Sequence, residues 1–77
     1  MDTHLNVSLV LSDKSVDIRI PKKVTVQQLS QELISIFNLK STRYQLRVLN
    51  KGLLLFAGDS LNDYPITSGD RILLEEY

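Results

Sequence analysis

Seventy-seven residues make one small domain, and 43% hydrophobic content with only three glycines and two prolines places the chain among folded globular proteins, not disordered ones. Nine basic residues balance nine acidic ones, which argues against a nucleic-acid binder or a polybasic membrane binder, since both need an excess of positive charge. The absence of cysteine excludes thiol nucleophiles, disulfides and zinc–thiolate sites.

The first strand begins at the start of the chain. Leu5, Val7, Leu9 and Leu11 fall on one parity and Asn6, Ser8, Val10 and Ser12 on the other, a period of two that buries one face. The polar cluster Ser12-Asp13-Lys14-Ser15 turns the chain, and Val16, Ile18 and Ile20 alternate with Asp17 and Arg19, completing a β-hairpin. Pro21 follows the strand, where a missing N–H does not harm the ladder.

The period then changes. In "TVQQLSQELISIFN" the apolar residues Val26, Leu29, Leu33, Ile36 and Phe37 have helical spacing, predicting a helix from Thr25 to Asn38 with Ile34 off the main stripe and partly exposed. Thr25 and Gln28 fit a capping box, and Asn38 fits a left-handed C′ residue with Leu39 folding back on the last turn. After a polar link from Lys40 to Arg43, Tyr44, Leu46 and Val48 point one way and Gln45, Arg47 and Leu49 the other. "NKG" turns the chain into the short apolar strand "LLLF". The segment "AGDSLNDYPITSGD" is too long for a tight hairpin. It is expected to hold a 3₁₀ turn around Leu61 to Tyr64, with Ile66 tucked inward and Gly69 supplying a backbone turn. In the last strand Ile72 and Leu74 face inward, and Arg71, Leu73 and Glu75 outward.

The order is strand, strand, helix, strand, strand, turn, strand. One helix with one apolar stripe must be covered by one face of a sheet, and the simplest closure places the first and last strands centrally. The expectation is an α+β fold: a single β-grasp domain over 1–77, with a mixed five-stranded sheet and one main helix.

The residues take this further. "SLNDYPI" resembles the segment of ubiquitin in which Leu-x-Asp-Tyr-x-Ile precedes the last strand, carried here by Leu61, Asp63, Tyr64 and Ile66. Thr25, Val26, Leu29 and Leu33 are similar to ubiquitin's capped helix in type and spacing. The resemblance implies that the Tyr64 hydroxyl folds back onto backbone of the preceding loop. More specifically, the chain resembles the YukD/EsaB group, the small ubiquitin-like proteins of Gram-positive type VII secretion systems. The shared features are its length, the hairpin Val48-Leu49-Asn50-Lys51-Gly52, and the "D-Y-x-I-x-x-G-D" close from Asp63 to Asp70. The resemblance implies a non-catalytic cytoplasmic adaptor or regulatory component that docks onto protein components of the secretion machine. It implies no cofactor, no nucleic-acid partner and no membrane insertion.

Ubiquitin-like modifiers and sulfur carriers work through a flexible C-terminal Gly-Gly, because side chains block the narrow channel of an adenylating enzyme. This sequence ends Glu75-Glu76-Tyr77, so docking is expected and conjugation is not. The alternatives are a modifier or carrier whose tail is missing, or a β-grasp module cut from a larger protein.

No other constellation points to chemistry. His4 lies before the first strand with no Asp-x-x or Cys motif near it in the sequence, whereas a base needs an orienting group and a metal site three or four ligands, so it is read as a solvated N-terminal histidine. Asp59, Asp63 and Asp70 do not have calcium-loop spacing and are read as turn-capping aspartates, as is Ser60 with Asp63. Lone Gly58 and Gly69 make no phosphate loop, and Lys22-Lys23 is a solvated strand end. What remains is the sheet face away from the helix. By parity Val10, Arg47, Leu49, Arg71 and Leu73 share it as a mixed apolar and basic candidate for partner binding, since interfaces favour arginine among apolar neighbours. Ubiquitin is recognised through the same face. Its central isoleucine falls on Arg47 counting forward from the helix and on Leu49 counting back from Gly52, so ubiquitin's own partners are not expected to bind. The exposed helix side, with Gln27, Gln31 and Glu32, is the second candidate surface.

Overall fold

The computed structural model describes residues 4–40 and 43–77. Residues 1–3 and, within the polar link of 40–43, positions 41 and 42 lie outside the described residues. The elements are β1 (His4–Val10), β2 (Ser15–Pro21), α1 (Val26–Ile36), β3 (Tyr44–Val48), β4 (Leu53–Leu55), a 3₁₀ turn (Leu61–Asp63) and β5 (Arg71–Glu76). The sheet order is β2-β1-β5-β3-β4. β1 and β5 run parallel and the other neighbours antiparallel. This is the ubiquitin-like β-grasp, and the terminal strands are central as the pattern requires.

α1 lies over one face of the sheet, burying Val26, Leu29 and Leu33. They meet Leu5, Val7, Leu9, Ile20, Leu46, Val48, Leu55, Ile72 and Leu74 from the strands, with Leu61 and Ile66 closing the end. Each strand contributes alternate residues, so a single layer of aliphatic side chains fills the space.

Both ends of α1 are closed by the residues the sequence offers. The Gln28 N–H donates to Thr25 Oγ1 at 3.1 Å and the Thr25 N–H to Gln28 Oε1 at 3.0 Å, the reciprocal capping box. The Val26 and Gln27 N–H groups donate to the carbonyls of Asp59 and Ala57, so the long loop docks on the orphan donors of the first turn. At the other end the Leu39 N–H reaches the Ile34 carbonyl and the Asn38 N–H the Ser35 carbonyl, with Asn38 at φ 53°. This is a Schellman closure built on an asparagine.

Three expectations are corrected. Ile36 is 65% exposed. It is the last residue of α1, and at 100° per residue it lies at the rim of the stripe centred on Leu29 and Leu33, beside an open groove between α1 and β2. Pro21 is the last residue of β2, paired with His4, and not a residue beyond the strand. It is tolerated because β2 is an edge strand. By the same pairing His4 opens β1 instead of preceding it, and its side chain is exposed.

Candidate functional site

The register settles which side chains share the outer sheet face. Ser15 of β2 pairs with Val10 of β1, Val10 with Leu73 of β5, Leu73 with Arg47 of β3, and Arg47 with Leu54 of β4. One row crosses all five strands. Val10, Leu73 and Leu54 in it are half-buried, because cross-strand neighbours cover part of each side chain. A second row joins Asp17, Ser8 and Arg71. The Leu49 N–H donates to the Arg71 carbonyl at 2.8 Å, extending the ladder one step beyond β3 and placing Leu49 on the same parity as Arg71. Leu49 is 40% exposed, the largest apolar exposure among the five candidates.

All five residues therefore share a face. Their polar chemistry differs from a simple basic patch. Arg47 Nε lies 3.0 Å from Glu75 Oε1, and Gln45 Nε2 donates to the same oxygen at 2.8 Å. The hydrogen bond from Gln45, and then that from Arg47, hold the Glu75 carboxyl below its ordinary range. The Arg47 charge is thus answered within the sheet, while Arg71 is exposed at the other end of the face.

Leu54 belongs to this surface and was missed by parity counting along single strands. The available signal was the turn. With Asn50 and Lys51 at its centre, the hairpin pairs residues whose numbers sum to 101, which sets Leu54 against Arg47.

The Leu49–Arg71 end is held by a polar cluster. Asp70, 4% exposed, has Lys51 Nζ 2.8 Å from its Oδ2. It accepts from Asn50 Nδ2 at 2.9 Å, the Thr67 N–H at 3.0 Å and the Thr67 hydroxyl at 3.3 Å. Asn50 Oδ1 in turn accepts from the Arg71 N–H at 2.9 Å. Burial pushes the Asp70 carboxyl up, but the hydrogen bonds from Lys51, Asn50 and Thr67 outweigh it and lower its pKa to about 2. The β3–β4 turn and the start of β5 are thereby joined.

Asp59 and Asp63 also serve the chain itself. Asp63 Oδ2 accepts from the Ser60 N–H at 3.2 Å, and Ser60 Oγ from the Asn62 N–H at 3.2 Å, capping the 3₁₀ turn. The Tyr64 hydroxyl donates to Asp59 Oδ2 at 2.6 Å and accepts from the Phe56 N–H at 3.0 Å. That is the fold-back onto the preceding loop that the ubiquitin-like segment implies. Among the described residues no helix is long and apolar enough to cross a membrane.

Residues 4–74 match the family model described as "WXG100 protein secretion system (Wss), protein YukD". The chain belongs to the YukD family. It is therefore a ubiquitin-like protein of a secretion-system family, as the hairpin and the Asp63–Asp70 close imply. Comparison with the curated proteins gives no match. Among solved structures, YukD-family membership is joined by a shared fold at low identity. A ubiquitin-like domain of an Arabidopsis thaliana protein has a TM-score of 0.80 at 22% identity, covering 97% of this chain and 79% of that one. A chain of the MycP5-free ESX-5 inner membrane complex has a TM-score of 0.84 at 18% identity, covering 99% of this chain and 21% of that one. The ubiquitin of Caldiarchaeum subterraneum has a TM-score of 0.76 at 17% identity, covering 96% and 94%.

Proposed function

We propose that this YukD-family chain is a non-catalytic adaptor or regulatory component of the WXG100, or type VII, secretion system. It acts by docking, on the cytoplasmic side, onto protein components of the machine. Residues 1–77 serve as one ubiquitin-like unit, and the contact surface is the outer sheet face formed by Val10, Arg47, Leu49, Arg71 and Leu73, with Leu54 added. The observation that carries this reading is the row Val10–Leu73–Arg47–Leu54 across β1, β5, β3 and β4, which makes a continuous mixed surface in which Arg47, paired with Glu75, stands between apolar neighbours. Contiguity distinguishes a docking surface from the single exposed hydrophobes common on any protein. The structural likeness to a chain of an ESX-5 inner membrane complex supports a role beside a membrane machine.

The test is the double variant L49D/L73D. Both side chains point away from α1, so the fold is expected to survive. A carboxylate desolvated in an apolar contact costs several kcal/mol of binding at a hot spot. In a cell with a type VII system the variant is expected to accumulate normally, to lose association with the machine's cytoplasmic parts and to impair export. Normal association and export by the folded variant would refute the surface and turn attention to Gln27, Gln31 and Glu32 on α1. A covalent adduct in the intact mass after incubation with ATP and cell extract would refute docking as the activity.

A further inference from the structure

Edge strand β2 carries a charge pattern that the docking surface does not use. Among the described residues no element pairs with its far side. The direction of its main-chain groups follows from the neighbouring ladders. The Ser8 N–H donates to the Asp70 carbonyl and the Asn6 carbonyl accepts from the Gly69 N–H, so Asn6 and Ser8 face β5. Successive residues of a strand between two others bond alternately to each side. Leu5, Val7 and Leu9 therefore face β2, where their register partners are Ile20, Ile18 and Val16. The bond from the Leu11 N–H to the Lys14 carbonyl, 2.7 Å, continues the same parity. Asp17 and Arg19 are left with their N–H and C=O groups turned to the open edge.

We propose that this edge is a homodimer interface. The β2 strand of a second copy pairs antiparallel with it about a two-fold axis at Ile18, so that Asp17 of each copy stands opposite Arg19 of the other. Each such pair exchanges both main-chain hydrogen bonds, and its side chains, exposed in the single chain, meet on the outer face with opposite charge. Ile18 meets Ile18 and Val16 meets Ile20 on the helix face.

Charge selects this register. Symmetric pairings that use the edge-facing groups can slide only in steps of two residues. One step one way sets Asp17 against Asp17, and one step the other way sets Arg19 against Arg19. Like charges directly opposite destabilise a pair and opposite charges favour it. Only the Ile18-centred pairing satisfies both charges twice. Apolar area is also available to it. Val16 and Ile18 are half-buried in the single chain, and the groove lined by Ile18, Ile20, Leu33 and the exposed Ile36 lies between α1 and β2. Two features keep the pairing weak. Pro21, without an N–H, falls opposite Ser15 at the end of the ladder, and Lys14 faces Lys22 beyond it. The two-fold axis is perpendicular to the sheet, so both outer faces lie on one side. The dimer leaves the docking surfaces open and does not depend on them.

Sedimentation equilibrium of the whole chain from about 10 μM to about 1 mM, the range for a small interface, tests the proposal. The mass is expected to rise from 8.8 kDa toward twice that value. D17R and R19D, each folded by circular dichroism, are expected to self-associate about tenfold or more weakly, because each places like charges in both pairs. A mixture of the two single variants is expected to form a heterodimer, and D17R/R19D to regain self-association. In the wild type, amide exchange at Asp17 and Arg19 is expected to slow with concentration, while Ile18, already facing β1, does not change. A wild type that stays monomeric throughout overturns the proposal, as do single variants that associate like the wild type. Dimerisation with unchanged exchange at Asp17 and Arg19 also overturns it.

Discussion

Replacing Asp70 with asparagine tests the polar cluster behind the Leu49–Arg71 end of the face. The carboxyl titrates at about 2 in the folded chain against an ordinary 3.8, a difference worth roughly 2 kcal/mol. The folded value is the lower one, so the stabilisation is complete above the unfolded value and is lost as pH falls through 4 toward 2. Asp70→Asn removes the charge and turns an NH₂ toward Lys51 or the Thr67 N–H, where only an acceptor fits. The expected cost is about 2 kcal/mol at neutral pH, since the ion pair with Lys51 is lost and one buried acceptor is replaced by a donor, while the partly exposed Lys51 ammonium keeps the Pro65 carbonyl and the Thr67 hydroxyl. Urea unfolding of both proteins at a series of pH values from about 7 to 2 reads this directly. The gap between them is expected to be largest near neutrality and to shrink by roughly 2 kcal/mol at the acid end. Other carboxylates, Glu75 included, titrate in both proteins and cancel in the difference. A gap that does not change with pH, or a variant as stable as the wild type at neutral pH, would refute the cluster as the origin of the low pKa.

Three further outcomes are expected. Leu33→Ala costs about 2–5 kcal/mol in chemical denaturation, whereas Ile36→Ser, at an exposed position, stays within about 0.5 kcal/mol; equal effects would show that the helix face is misplaced. Tyr64→Phe strands the Phe56 N–H and one Asp59 oxygen and costs about 1–2 kcal/mol. In the wild type, absorbance titration is expected to find the Tyr64 phenol ionising above its ordinary 10, mainly because of its hydrogen bond to Asp59, so its contribution to stability is present below pH 10 and lost above. Leu54→Asp weakens association with the secretion machine as Leu73→Asp does, measured by co-purification; normal association would remove β4 from the docking surface.

Sequence alone determined the parts whose signals are local. Alternation in β1 and β2, the Thr25–Gln28 box, the left-handed Asn38 and the Leu61–Ile66 segment each depend on residues within a few positions of one another, where backbone sterics and short hydrogen bonds decide the outcome. The single apolar stripe of α1 then required one covering sheet, and that requirement put β1 and β5 at its centre. Only the tertiary structure decided what depends on register between strands distant in sequence. Parity placed Arg47 and Leu73 on one face, but pairing set Glu75 beside Arg47, brought Leu54 into the row and buried Asp70 against Lys51 and Asn50. The limit of burial on α1 was decided in the same way. Ile36 has helical spacing, yet its exposure depends on how closely the end of α1 packs against β2, where an open groove remains, and no residue near it in the sequence encodes that distance.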